Sequence, residues 1–171
     1  MPSPGKERNT EAHVHIAIRE HLKQKGWRLV AGQFPGGSDD EVAVLYVYDP
    51  AVARDDSPDP RRHSRDKLVP DLIALKGETL LIVEKKTFYS FDDAAKLRDL
   101  VTTRRRDLYS ALRDFGERRH IPEIIAPTRL RLVPSMGFVE IGDFPRDPEF
   151  CYFLTQGLQV VRVLEPDFPL P

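Results

Sequence analysis

The sequence predicts an α/β domain in which helices flank a central mixed β-sheet. Three observations support this fold class. Apolar residues recur at helical spacing after Thr10, and again after Ser90. Between these stretches lies the densest apolar run of the chain, from Leu80 to Val83, which is typical of a strand covered on both faces. The length of 171 residues fits one domain spanning residues 1–171.

Composition narrows the class of protein. Apolar residues make up 40% of the chain and charged residues 31%, as expected for an ordered globular protein. A formal net charge of -1 means that any nucleic-acid binding would depend on local basic patches. The single cysteine, Cys151, excludes an intrachain disulfide framework and favours a cytoplasmic location. Residues 1–9 are polar and are expected to be flexible rather than a secretion signal, and no segment suggests a membrane span.

The first predicted helix runs from Thr10 to Lys25. Asn9 or Thr10 can cap its start, and Gly26 ends it. Its apolar stripe consists of Val14, Ala17, Ile18 and Leu22. Glu11 begins the same stripe and is therefore expected to point toward the sheet. His13 and His15 are two residues apart, so they make a poor metal pair and are expected to be exposed.

Two strands are predicted next, Trp27 to Gln33 and Val42 to Tyr48, paired as a hairpin. Residues 49–67 form a long, polar, proline-rich loop, which is unusual inside a compact domain and points to disorder or function. Beyond this loop, strands are predicted from Leu68 to Leu75 and from Thr79 to Lys86, joined by a turn at residues 76–78.

Ser90 and Asp93 resemble a capping box that starts a long helical segment ending near Gly116. Its apolar stripe is interrupted at Arg104 and Arg105. Two interpretations remain open: a break between two helices, or one helix that turns these arginines toward a phosphate. The last third is predicted to contain a strand from residue 130 to 133 ended by Pro134, a helix from residue 147 to 157, and a strand from residue 158 to 164.

Two carboxylates and a lysine are expected to converge at one end of the sheet. Asp71 starts one predicted strand and Glu84 ends the next, so a hairpin between the two strands would bring them together. Glu84 and Lys86 share a face because side chains alternate along a strand, while Lys85 points to the other face. Carboxylate oxygens are the ligands that Mg²⁺ or Mn²⁺ prefer, and a neighbouring lysine can orient a water or hold a phosphate. This set suits hydrolysis of a phosphodiester.

Pro70-Asp71 followed after twelve residues by Glu84-Lys85-Lys86 resembles the PD-(D/E)XK motif of restriction-endonuclease-like and Holliday-junction-resolvase-like nucleases. The resemblance implies a restriction-endonuclease-like core with the order α-β-β-β-α-β. It also implies Asp71, Glu84 and the main-chain carbonyl of Lys85 as metal ligands, and Lys86 as the catalytic lysine. Glu11 would be an accessory acid. The implied activity is metal-dependent DNA endonuclease, and cutting both strands of a duplex would favour a homodimer.

Two basic groups are candidates for contacting DNA. They consist of Arg61, Arg62, Arg65 and Lys67 in the long loop, and Arg104 and Arg105 in the second helical segment. A basic run is more often a solvated face than a phosphate site. Two other functions also remain open: a catalytically silent nucleic-acid-binding or protein-interaction module on the same fold, and a metal-dependent hydrolase of small phosphate compounds.

Overall fold

A computed structural model describes residues 10–34, 37–38, 43–48 and 67–171. In chain order the elements are α1 (Glu11–Gln24), β1 (Arg28–Phe34), β2 (Gly37–Ser38), β3 (Val47–Tyr48), β4 (Lys67–Leu68), β5 (Leu72–Lys76), β6 (Thr79–Lys85), α2 (Phe91–Val101), α3 (Arg105–Arg119), β7 (Arg131–Val139), β8 (Cys151–Gln156) and β9 (Gln159–Leu164). Two short 3-10 turns, Pro122–Ile124 and Pro127–Arg129, connect α3 to β7.

The main sheet has seven strands in the order β2-β1-β5-β6-β7-β8-β9. Strands β6, β7 and β8 run parallel, while the other neighbouring pairs are antiparallel. This mixed sheet confirms the predicted α/β class. The predicted turn at residues 76–78 joins β5 to β6, and Leu72 pairs with Val83 across the hairpin.

The helices cover opposite faces of the sheet, and β6 lies at its centre. On one face, α1 packs Val14, Ile18 and Leu22 against the sheet. On the other, α2 and α3 bury a second cluster that includes Leu97, Leu108, Leu112 and Phe115. Residues Leu80 to Val83 are essentially inaccessible to solvent, as a strand covered on both faces requires.

The predicted start of α1 is confirmed, whereas one prediction about its histidines is wrong. The Thr10 hydroxyl accepts a hydrogen bond from the His13 backbone, and His13 Nδ1 accepts one from the Thr10 backbone, which forms a capping box. Gly26 adopts a left-handed conformation with φ of 84° just after the helix. His15, predicted to be exposed, is fully buried, because the buried stripe of α1 includes this position beside Val14.

The segment after Ser90 forms two helices. The Ser90 hydroxyl caps α2 by accepting a hydrogen bond from the Asp93 backbone, as predicted. Residues Thr102 to Arg104 then interrupt the helix before α3 begins. The interpretation of a break is therefore confirmed over that of one continuous helix, and α3 continues to Arg119 rather than ending near Gly116.

The predicted hairpin between the first two strands is wrong as a ladder, although the Gly32 backbone N–H donates to the Ala43 carbonyl. Within the described residues, β1 pairs with β2 and β5 instead, while β3 pairs with β4 in a separate two-stranded sheet. The predicted strand from Leu68 to Leu75 is also divided into β4 and β5. Pro70 lies at the division, where its missing N–H cannot serve a sheet ladder.

Pro134 does not end a strand. It lies inside β7, opposite Ile82 of β6. Arg131 donates its backbone N–H to the carbonyl of Glu78, just before β6. Because successive backbone nitrogens of a strand point to opposite sides, the nitrogen of Pro134, three residues later, points away from β6. The ladder with β8 starts only at Ser135, so no hydrogen bond of that ladder is lost.

The predicted helix from residue 147 to 157 is also wrong, because this segment contains β8. Residues Cys151 to Thr155 are all buried, and a continuous buried run of this length is satisfied by a strand inside a sheet. Gly157 occupies the turn to β9 with φ of 55°, rather than a helix end. The last predicted strand is confirmed as β9. No helix in the described residues combines the length and apolarity needed to cross a bilayer.

Candidate active site

The structure brings Asp71 and Glu84 to the same end of the sheet. Asp71 immediately precedes β5, and Glu84 is the penultimate residue of β6. The pairing of Leu72 with Val83 places the two acids in neighbouring positions across the hairpin. Asp71 Oδ2 accepts a hydrogen bond of 2.9 Å from the backbone N–H of Lys85. The short turn of the hairpin thus sets the position of both carboxylates.

Glu84 is a buried carboxylate, with 3% of its surface exposed. Burial and, to a smaller extent, the nearby charge of Asp71 raise its pKa to about 8, although Lys96 acts in the opposite direction. Glu84 Oε1 lies 2.7 Å from Lys96 Nζ. Even with this ion pair, Glu84 therefore resists ionisation unless additional positive charge is nearby.

Lys96 and Asp93 belong to the site although the sequence did not single out Lys96, and used Asp93 only as part of a helix cap. Both lie on α2, three residues apart, so they share one face of the helix. Lys96 Nζ also donates to the Val69 carbonyl at 3.0 Å. Burial raises the pKa of Asp93, and Lys86 is the strongest charge opposing this shift. The i, i+3 spacing of Asp93 and Lys96 after the Ser90 cap predicted that they share a face of the helix. This spacing could not predict that this face of α2 packs against the end of β6.

Lys85 points to the α1 face of the sheet, as predicted from alternation. Its side chain is 2% exposed, and its Nζ donates to the Gln33 carbonyl at 3.3 Å. Burial lowers the pKa of Lys85, and the charges of Asp71 and Glu11 oppose this shift. Since the N–H and C=O of one strand residue point to the same side, the Lys85 carbonyl faces the Asp71 edge.

Glu11 and Lys86 lie at the margins of this site. Glu11, the first residue of α1, is partly buried and close enough to Lys85 to act on its charge. Lys86 is exposed, directly follows β6, and lies near Asp93. The predicted group of Asp71, Glu84, Lys86 and Glu11 therefore collects at one end of the sheet, with Lys85 between its members.

Of the predicted DNA-contacting residues, Arg104 and Arg105 are not part of this group. Arg104 precedes α3 and forms ion pairs with Asp99 at 3.6 Å and Asp107 at 3.8 Å. Arg105 lies over the Tyr109 ring. Both are at the far end of α2 from Ser90, which is about 16 Å for eleven residues at helical rise.

The loop candidates Arg61, Arg62 and Arg65 lie outside the described residues. The backbone of Lys67 belongs to β4, opposite Tyr48. The predicted DNA contacts of these four residues therefore stay predictions.

The donor set fits a hydrated hard cation. The part of the chain that the structure describes contains no group of three or more His, Cys, Asp or Glu side chains that could hold a metal ion. Mg²⁺, however, commonly keeps several waters and uses only one or two carboxylates. Asp71, Glu84 and the Lys85 carbonyl could supply three oxygens, and the buried Glu84 carboxylate would gain a second positive charge beside that of Lys96.

Comparison with known proteins adds no relative. No protein-family model matches the chain. No curated protein matches it, and no solved structure does so. The functional interpretation therefore rests on the arrangement of these side chains.

Proposed function

We propose that this protein is a metal-dependent nuclease that hydrolyses phosphodiester bonds in DNA. The observation that carries the proposal is the pair of carboxylates, Asp71 and Glu84, held side by side with Glu84 buried at 3% exposure. Burial raises the pKa of Glu84, and repulsion from the neighbouring Asp71 raises it as well. An arrangement that costs stability and is relieved by a cation is expected at a functional site.

Asp71, Glu84 and the Lys85 carbonyl would hold Mg²⁺ or Mn²⁺. The bound ion would supply an activated water and stabilise negative charge on the phosphate. Asp71 is oriented for this role by the hydrogen bond that it accepts from the Lys85 backbone. Lys96 holds the Glu84 carboxylate in place from α2.

We assign to Lys86 the role of contacting the substrate. It is exposed at the end of β6, so its ammonium can reach a phosphate or a water molecule at the surface. Glu11 lies on the α1 side and acts on Lys85 rather than on Glu84. We therefore assign Glu11 a positioning role, with Lys85 as its partner.

Cleavage of supercoiled plasmid in Mg²⁺, Mn²⁺ or EDTA tests the proposal. We expect metal-dependent cutting by the wild type, and loss of cutting in Asp71→Ala and Lys86→Ala. Glu78→Ala is the matched control, because Glu78 is an exposed acid at the opposite end of the β5–β6 hairpin. Cutting that persists in Asp71→Ala at the wild-type rate would refute the proposal.

Other outcomes would identify the alternatives. DNA binding without cutting would indicate a nucleic-acid-binding module on this fold, and release of phosphate only from small compounds would indicate a different hydrolase.

A homodimer, which would let two sites cut two strands, is tested by sedimentation at the concentration used for cleavage. Binding through phosphate contacts would weaken steeply with salt.

A further inference from the structure

Two large aromatic side chains are exposed beside the carboxylate site. Phe88 is 62% exposed and Phe91 is 72% exposed. Phe88 follows Lys86 by two residues, and Phe91 is the first residue of α2, two residues before Asp93. Two residues of chain span at most about 7 Å, so the Cα atoms of Phe88 and Phe91 lie within this distance of the Cα atoms of Lys86 and Asp93.

Of these two rings, that of Phe91 belongs to a supported surface. The Tyr89 ring lies between them in sequence and meets the Phe91 ring edge-to-face, with 5.0 Å between centroids. Tyr89 also packs on Phe138 and Phe144, which join it to the core. The Phe91 side chain is thus held from below while most of its surface faces solvent.

A third exposed apolar side chain lies just beyond the end of β7. The backbone N–H of Val139, at the end of β7, donates to the Thr87 carbonyl, so the segment carrying Phe88 runs beside the end of β7. The chain leaving β7 carries Ile141, which is 59% exposed. Exposed apolar surface concentrated at one place is a mark of a binding surface.

We infer that Phe88 and Phe91 stack on unpaired nucleobases, so that the substrate of this site is DNA with single-stranded nucleotides at the point of cleavage. This inference rests on the proposed nuclease function, and deepens it by naming the substrate class. The bases of an intact duplex are stacked on one another and offer no face to a protein ring, whereas an unpaired base does. Lys86 would hold the phosphate while the rings hold the base.

The uncharged rings favour a nucleobase over a charged group. The two phenyl rings carry no charge, Lys86 precedes Phe88 by two residues, and the acids Asp92 and Asp93 follow Phe91 in the first turn of α2. A base has a large neutral face that suits a ring, and its phosphate is negative, which suits Lys86. Continuity of the rings with the carboxylate site then places the bound nucleotide next to the reacting bond.

Binding of fluorescent DNA, measured by anisotropy in EDTA, tests the inference without cleavage. The probes are a single strand, a duplex, and a duplex with a single-stranded flap, all of equal length. We expect the variant Phe88→Ala/Phe91→Ala to lose on the order of tenfold affinity per ring for the single strand and the flap, with little change for the duplex. Phe88→Trp should retain the wild-type affinity. Leu158→Ala is the matched control, because Leu158 is 55% exposed in the β8–β9 turn.

The salt dependence separates stacking from phosphate contacts. Loss of a ring should lower the affinity at every salt concentration and leave the slope against salt unchanged, whereas Lys86→Ala should reduce the slope by about one unit. Thermal unfolding of each variant checks that the loss is not one of folding.

The outcomes distinguish this inference from the nuclease proposal. Equal loss of affinity for single strand and duplex, or no loss in the double variant, overturns the inference even if the protein cuts DNA. A double variant that changes from dimer to monomer with unchanged binding overturns it too, and would assign the surface to a second copy of the chain. If the double variant selectively loses single-strand binding but the wild type never cuts DNA, the stacking surface is supported and the nuclease proposal is refuted.

Discussion

Mg²⁺ binding to this site should release a proton from Glu84. The pKa of Glu84 is raised to about 8 by burial and by Asp71. At pH 7 roughly nine tenths of this carboxyl group is therefore protonated in the metal-free protein. Only the ionised form is a good ligand, so each metal ion bound should release about 0.9 proton at pH 7, falling toward zero above pH 9.

The same linkage sets the pH dependence of affinity. Below pH 8 the metal competes with one proton, so the affinity should rise about tenfold for each pH unit and level off above pH 8. Titration calorimetry in two buffers of different ionisation enthalpy measures the proton release directly. Glu84→Gln should bind the metal more weakly at pH 9 and release no proton, while the exposed control Glu78→Gln should behave as the wild type. Metal binding by the wild type with no proton release at pH 7 would refute the reasoning.

Three further predictions concern the fold around the site. Lys96→Met should lose stability mainly at high pH. The folded-state pKa of Glu84 is above its unfolded value, so ionisation of Glu84 disfavours folding, and Lys96 offsets this effect. We expect about 3–5 kcal/mol less stability in urea at pH 9 and a smaller loss at pH 6, and equal losses at both pH values would contradict this. Gly137→Ala should cost about 1–3 kcal/mol, because the added Cβ would lie 2.0 Å from Ile18 Cδ1, and a denaturation midpoint equal to that of the wild type would show that the Ile18 side chain moves aside without cost. Cys151 is fully buried and its pKa is raised to about 12 by burial, so a thiol reagent should modify it only after unfolding, and rapid modification of the native protein would contradict the packing of β8.

Local sequence patterns were sufficient to predict a helix or strand wherever a single hydrophobic period described the whole segment. The stripe of Val14, Ile18 and Leu22 predicted α1, and the run Leu80 to Val83 predicted a central strand, because periodicity depends on neighbours in sequence. The same reasoning failed at β8, where a buried run beside Pro148 and before Gly157 was interpreted as a helix. A short apolar run is compatible with either element until its partners are known, and here the neighbours β7 and β9 determine the strand.

The candidate site was likewise predicted only in part from the sequence. Asp71 and Glu84 were predicted together because a short hairpin joins β5 to β6, and their pairing follows from chain connectivity. By itself, the sequence therefore determined the fold class, the central strand and the pair of carboxylates. Only the tertiary structure decided that Lys96 reaches Glu84, that Lys85 and His15 are buried, and that Pro134 lies within β7. Each of these depends on which distant surfaces pack together, and that choice is made by burial of apolar area over the whole chain rather than by any local pattern.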